Sequence, residues 1–142
     1  MPYHLLMRYL ILGAAMTIML AGCVPKDIAR ANCQTVFLST IDAETCTVKA
    51  DIVGRKSSIE FDTESRNHVA HVEMAFQVTK GKLRVTYQDL SGTQQLLVTP
   101  SEPASVKMQT RLRRDGRSFS VFFEPADGVV EGLTGTVKYS TP

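Results

Sequence analysis

The chain has no tryptophan, and its 142 residues contain only three histidines and three cysteines. Without tryptophan it lacks the largest flat apolar side chain, the one many sugar-binding platforms are built on. His4 lies near the start, so only His68 and His71 remain in the body of the chain to work as acid, base or ligand near neutral pH. Nucleophile elbow, P-loop, dinucleotide fingerprint and zinc-protease helix are all missing, so no motif-borne reaction class is indicated. Neither sign of charge dominates: 16 Lys+Arg stand against 14 Asp+Glu, a formal +2. That balance argues against a nucleic-acid partner, which needs a broad basic footprint. The one long apolar run, from Tyr9 to about Gly22, is shorter than the ~20 residues of a spanning helix before small residues take over.

That run is where the chain becomes informative. Arg8 precedes it, Leu20-Ala21-Gly22-Cys23 closes it, and Pro25 and Lys26 follow at once. A charged start, an apolar middle and small residues at the end describe a cleavable export signal over residues 1–22. The tetrad Leu20-Ala21-Gly22-Cys23 resembles the lipobox of bacterial prolipoproteins. The resemblance implies a diacylglycerol thioether on Cys23, cleavage just before it, and an acyl chain such as palmitate on the new N-terminus. Two or more chains hold a protein stably at a membrane where one does not. Val24 stands where an aspartate commonly retains Gram-negative lipoproteins at the inner membrane. By the same resemblance the expected location is the outer membrane in a Gram-negative cell, and otherwise the outer face of the cell membrane.

With Cys23 assigned to the lipid, Cys33 and Cys46 are left as an even pair. In an exported protein such a pair is expected to form a disulfide. A metal pair lacks ligands, since no histidine is near and no C-x-x-C spacing occurs. Residues 23–32 carry Pro25 and mixed charge without periodicity and read as a lipidated tether, reaching at most ~35 Å when extended. Residues 33–142 read as one domain, large enough to bury about two-thirds of its surface.

Within that domain, apolar and polar residues alternate in short runs. Expected strands are Gln34–Ile41, Cys46–Val53 with Cys46, Val48, Ala50 and Ile52 inward, Ser58–Asp62, and His68–Thr79 with Ala70, Val72, Met74, Phe76 and Val78 inward. Lys80-Gly81 suggests a hairpin into Leu83, Val85 and Tyr87; Ser91-Gly92 suggests a second into Gln94–Thr99. Pro100-Ser101-Glu102-Pro103 reads as a crossover between sheets. Ala104–Leu112 leads to Asp115-Gly116, a hairpin signal, and Phe119, Val121 and Phe123 return along the inner face. Pro125 to Gly128 reads as a loop before a last strand, Leu133–Ser140. About eight or nine strands at roughly ten-residue spacing argue an all-β, antiparallel sandwich or closed barrel, with a sandwich, jelly-roll or immunoglobulin-like in topology, preferred.

Four features could carry function. Arg111, Arg113, Arg114 and Arg117 crowd one turn, and arginine forks suit phosphate or carboxylate groups on a partner. Phe122 breaks the alternation and should point outward, as a hydrophobic contact. His71 and Glu73 share a strand face, whereas His68 and His71 face opposite ways, so the histidines read as surface residues. Asp42 with Glu44, and Asp62 with Glu64, read as two solvated acidic loops, although loop carboxylates can bind calcium where they meet. The expected function is a lipid-anchored, non-catalytic envelope module. It would bind or position another protein or an envelope polymer, without metal or cofactor. The alternative is a small-ligand or carbohydrate-binding module, and the third is a hydrolase using His68 or His71.

Overall fold

Alternation of apolar and polar residues makes strands with one wet and one dry face, and here it produces eight, every pairing antiparallel. The computed structural model describes residues 29–38, 41–63, 68–114 and 117–141. The expected export signal, Cys23, most of the expected tether, Glu64 and the Asp115-Gly116 pair lie outside the described residues. The strands are β1 (Arg30–Leu38), β2 (Ile41–Val53), β3 (Ser57–Asp62), β4 (Val69–Gln77), β5 (Lys80–Asp89), β6 (Gly92–Val98), β7 (Ala104–Arg111) and β8 (Ser118–Thr141).

β8 organises the fold. Its C-terminal half lies between β2 and β4, with β1 and β7 completing a five-stranded layer. Its N-terminal half lies between β3 and β5, with β6 beyond, in a second layer. β2 and β3 run along one side of β8, and β4 and β5 along the other. One sheet is thus folded over into an antiparallel β-sandwich whose corner is made by strands that pass from layer to layer.

This corner corrects three sequence expectations. Lys80-Gly81 makes no hairpin: β4 is flanked by β7 and β8, so β5 has no free edge of β4 to pair with and instead continues beside β8. Pro125 to Gly128 is no loop but the middle of β8. Asp115-Gly116 likewise joins no paired strands, because β7 belongs to one layer and the start of β8 to the other. At the corner β8 advances six residues, from Glu131 to Pro125, while β5 advances three, from Lys80 to Leu83. The surplus in β8 makes a bulge that bends the strands together. Gly81 sits there at φ 87°, and a Cβ on it would meet the Val129 carbonyl oxygen at 2.5 Å. Turn signals in the sequence therefore marked a bend across neighbouring strands rather than reversals of the chain.

Smaller corrections follow. The first strand starts at Arg30, four residues before Gln34, and takes over the end of the expected tether. Ile41 opens β2 instead of closing β1, which places Asp42 and Glu44 on a strand and not in a loop. Ile52 is exposed and Val53 buried, because the inward phase slips by one opposite Gly132, itself at φ 64°.

The remaining inward assignments hold. Ala70, Val72, Met74, Phe76 and Val78 are buried, as are Leu83, Val85, Tyr87, Phe119, Val121, Phe123, Leu133, Val137 and Tyr139. The layers meet through aromatic pairs in geometries rings favour. Phe76 meets Phe123 edge-on at 5.4 Å, and Tyr139 meets Phe119 edge-on at 5.2 Å. Residues 99–103 carry the chain from β6 in one layer to β7 in the other, as the flanking prolines suggested.

Cys33 and Cys46 are bonded as a disulfide, directly opposite each other on β1 and β2. The bond ties the outermost strand of the five-stranded layer to its single neighbour.

Candidate functional site

Arg111 is the last residue of β7, on the outward side of the alternation. The next residue, Leu112, turns inward and donates its N–H to the His68 carbonyl at 2.8 Å. The turn then closes on itself: Arg117 N–H donates to the Arg113 carbonyl at 2.8 Å, and Arg113 N–H to the Ser118 carbonyl at 3.0 Å. Arg117 takes a left-handed φ of 51° to do so, a conformation uncommon outside glycine. Buried Thr63 holds the turn from the other side, since both its N–H and its hydroxyl donate to the Arg117 carbonyl. Buried Ser118 donates its hydroxyl to Glu60. The arginine-bearing turn is thus tied at its base to His68, just before β4, to Thr63, just after β3, and through Ser118 to Glu60 of β3.

This fixation brings two of the four arginines to Phe122. A cleft of about 250 Å³ is lined by Arg111 and Arg113 on one side and by Lys56 and Phe122 on the other. Phe122 points outward from β8, as its place in the alternation required, between Ser58 of β3 and Thr86 of β5. Lys56 lies 5.3 Å from the centre of the Phe122 ring, within the ~6 Å over which a cation is drawn to an aromatic face. Thr86, Gln88, Thr93 and Ser120 supply neutral hydrogen-bonding groups to the wall. Arg114 and Arg117 are exposed and stand outside this lining.

Among the described residues, no carboxylate lines the cleft and none pairs with Lys56, Arg111 or Arg113. The nearby acids are engaged elsewhere: Glu124 meets Arg84 at 3.1 Å, and Glu60 accepts from Ser118. Three cations in a recess with low-dielectric walls focus a positive potential. An entering anion relieves their mutual repulsion and gains charge-assisted hydrogen bonds.

The other sequence candidates resolve separately. His71 Nδ1 lies 3.2 Å from Gln109 Nε2, and Glu73 pairs with Lys107 at 3.2 Å, so each has a partner on β7. His68 and His71 are both exposed. Glu44 and the backbone of Asp62 meet at Tyr139: its hydroxyl donates to Glu44 Oε2 at 2.5 Å, and the Asp62 carbonyl oxygen lies 2.9 Å from the same hydroxyl oxygen. Among the described residues, Cys33, Glu44 and Cys46 make the one acid–sulfur group compact enough for an ion, with ligand atoms within 4.8 Å. Both sulfurs are spent on the disulfide.

Burial first, then the hydrogen bond to Glu44 and the charges of Glu44 and Asp62, push the Tyr139 phenol far above its ordinary value. An acid raised in the fold keeps its full stabilisation below its unfolded pKa of about 10 and loses it as pH rises further. Stability should therefore fall above pH ~10. Tyr139→Phe should lower the unfolding free energy at pH 8 by roughly 1.5–3 kcal/mol, the worth of a hydrogen bond to a charged group. It should also flatten the alkaline decline. Urea midpoints at pH 8 and pH 10.5 check both, and an unchanged slope would count against this role for the phenol.

Sequence reasoning missed Lys56. Nothing around Gly54-Arg55-Lys56-Ser57 marks it, because its approach to Phe122 depends on β3 pairing with β8, more than 50 residues away in sequence.

No family model and no curated relative matches the sequence. Solved structures align at low identity. The subunit of the disulfide-linked pili of Bacillus endospore appendages aligns at 11% identity over 84% of this chain and 95% of that chain, TM-score 0.42. The CBM22-1 xylan-binding domain of Paenibacillus barcinonensis Xyn10C aligns at 17% over 79% of this chain and 83% of that chain, TM-score 0.39. The capsular polysaccharide assembling protein CapF from Staphylococcus aureus aligns at 8% over 75% of this chain, TM-score 0.38, and this chain spans only 28% of its length. Similarity at this level says nothing of what the present chain binds.

Proposed function

We propose that the protein is a lipid-anchored, non-catalytic module of the bacterial cell envelope. Its cleft between Lys56, Arg111, Arg113 and Phe122 holds an anionic group of a partner protein or envelope polymer. The lipobox-like tetrad ending in Cys23 supports the anchor. The observation that carries the binding role is the cleft itself: three cations and one outward aromatic ring converge, with no lining carboxylate among the described residues. Backbone hydrogen bonds tie down the turn that carries Arg113, and strand pairing on both sides fixes the backbone of Phe122, which lowers the ordering cost of binding.

The test is affinity capture of the mature protein from its own membranes, beside a variant carrying Lys56→Gln, Arg111→Gln and Arg113→Gln. Capture by the native protein should weaken with salt, because exposed charges are screened beyond ~8 Å at physiological ionic strength. The variant should lose at least tenfold in affinity while its stability stays within about 0.5 kcal/mol, the usual range for surface changes. The same preparation yields the N-terminal mass, expected to show a lipid-modified Cys23. A partner held equally well by the variant at low salt would remove the cleft from the mechanism. An unmodified N-terminus elsewhere would remove the anchor.

A further inference from the structure

We infer that the group entering the cleft is an anionic sugar residue of a polysaccharide, its carboxylate or phosphate held by Lys56, Arg111 and Arg113. The inference rests on reading the cleft as an anion site. A sugar ring has apolar C–H faces and hydroxyl edges, and an acidic sugar adds one anion to these. The cleft offers a counterpart to each. Phe122 gives an aromatic surface, with Lys56 held over its ring at 5.3 Å. Thr86, Gln88 and Thr93 give neutral donors and acceptors side by side, since Gln88 pairs with Thr93 in the β5–β6 register and Thr86 lies two residues back along β5. The arginine forks give the anion its partners.

Size and continuity favour a polymer unit over a free anion. The volume of about 250 Å³ falls just short of the ~300–1,000 Å³ of sites for drug-sized ligands, and so suits a single ring. A second recess, of about 400 Å³, shares Gln88, Thr110 and Arg111 with the first and continues past the β5–β6 turn. Its one carboxylate among the described residues, Asp89, is turned to the backbone and accepts from Ser91 N–H at 2.7 Å and Gly92 N–H at 3.0 Å. A chain threaded from Phe122 to that turn would meet Arg111 midway. An acidic peptide would satisfy the cations but leave the aromatic face and the row of neutral groups without a role.

The experiment is calorimetric titration of the folded mature protein with four probes. These are trigalacturonic acid, its methyl ester, mannose 6-phosphate and hexaglutamate. Trigalacturonic acid or mannose 6-phosphate is expected to bind, the first at least tenfold tighter than its uncharged ester and than hexaglutamate. Binding by only one of the two sugars identifies the anion as carboxylate or phosphate. Phe122→Ala should weaken saccharide binding about tenfold. Gln88→Ala, which keeps the ring, should weaken it several-fold and guards against a folding defect in the first variant. Equal affinity for hexaglutamate and trigalacturonic acid, or saccharide binding indifferent to both substitutions, overturns the sugar assignment. So does failure of both acidic sugars to bind. In each of those cases arginine-dependent capture from membranes would still stand, so the two readings fail separately.

Discussion

Phe123→Ala is expected to cost about 3–5 kcal/mol of unfolding free energy, the range for a phenylalanine deleted from a packed core. Phe123 is completely buried on the central strand, between Ser57 of β3 and Val85 of β5. Its ring reaches across the sandwich to meet Phe76 of β4 edge-on. Truncation therefore removes both buried area and the main aromatic contact between the layers at that end. The backbone around the site is paired on both sides and cannot close the void, which puts the cost at the upper end. Against a total of roughly 5–15 kcal/mol for a domain, such a loss takes a large share of the stability. Urea unfolding followed by circular dichroism checks it. A shift below ~1.5 kcal/mol would mean that the layers do not depend on this contact.

Replacing both Cys33 and Cys46 by serine is expected to cost up to about 3 kcal/mol in the chain-entropy account, for a closed loop with a sequence separation of 13. The form of the loss follows from topology. Among the described residues β1 has one neighbour, β2, so the disulfide is the covalent part of an otherwise single-sided attachment. Without it β1 should fray before the remainder unfolds. Amide exchange in Arg30–Leu38 should accelerate well beyond that in β4 or β8. Thiol alkylation without reductant in the folded native protein would contradict the bond. Uniform loss of protection across all strands would contradict the local mechanism.

Period-two alternation was legible wherever a strand has one wet and one dry face, and so β4, β5 and the two ends of β8 could be read from sequence. Connectivity was not. Gly81, Gly128 and Pro125 carry the ordinary marks of a reversal, yet all three lie where the strands bend from one layer to the other. A local signal states that the chain departs from straight extension. It does not state whether the chain turns back or continues at an angle, because that depends on which edges are already occupied. Asp42 and Glu44 misled for a related reason: two acids near a strand end suggest a loop, but Glu44 has the Tyr139 hydroxyl, 95 residues away, as its partner. The site was half legible. Local density exposed the arginines, and broken alternation exposed Phe122. Their meeting needed Thr63 to fix the turn and β3 to deliver Lys56, and both come from distant sequence.

β8 also sets an order of events. It is the last of the described strands, and β2, β3, β4 and β5 all take it as a neighbour. Until residues 118–141 exist and are free to dock, neither layer has its middle. Only the β1–β2, β4–β7 and β5–β6 pairings can form early, and isolated two-stranded pieces are marginal in water. Contacts so distant in sequence make folding slow, because loop closure must precede any gain from pairing. A chain emerging N-terminus first would therefore stay loose until residues 118–141 are free to dock, and then close in a single late step.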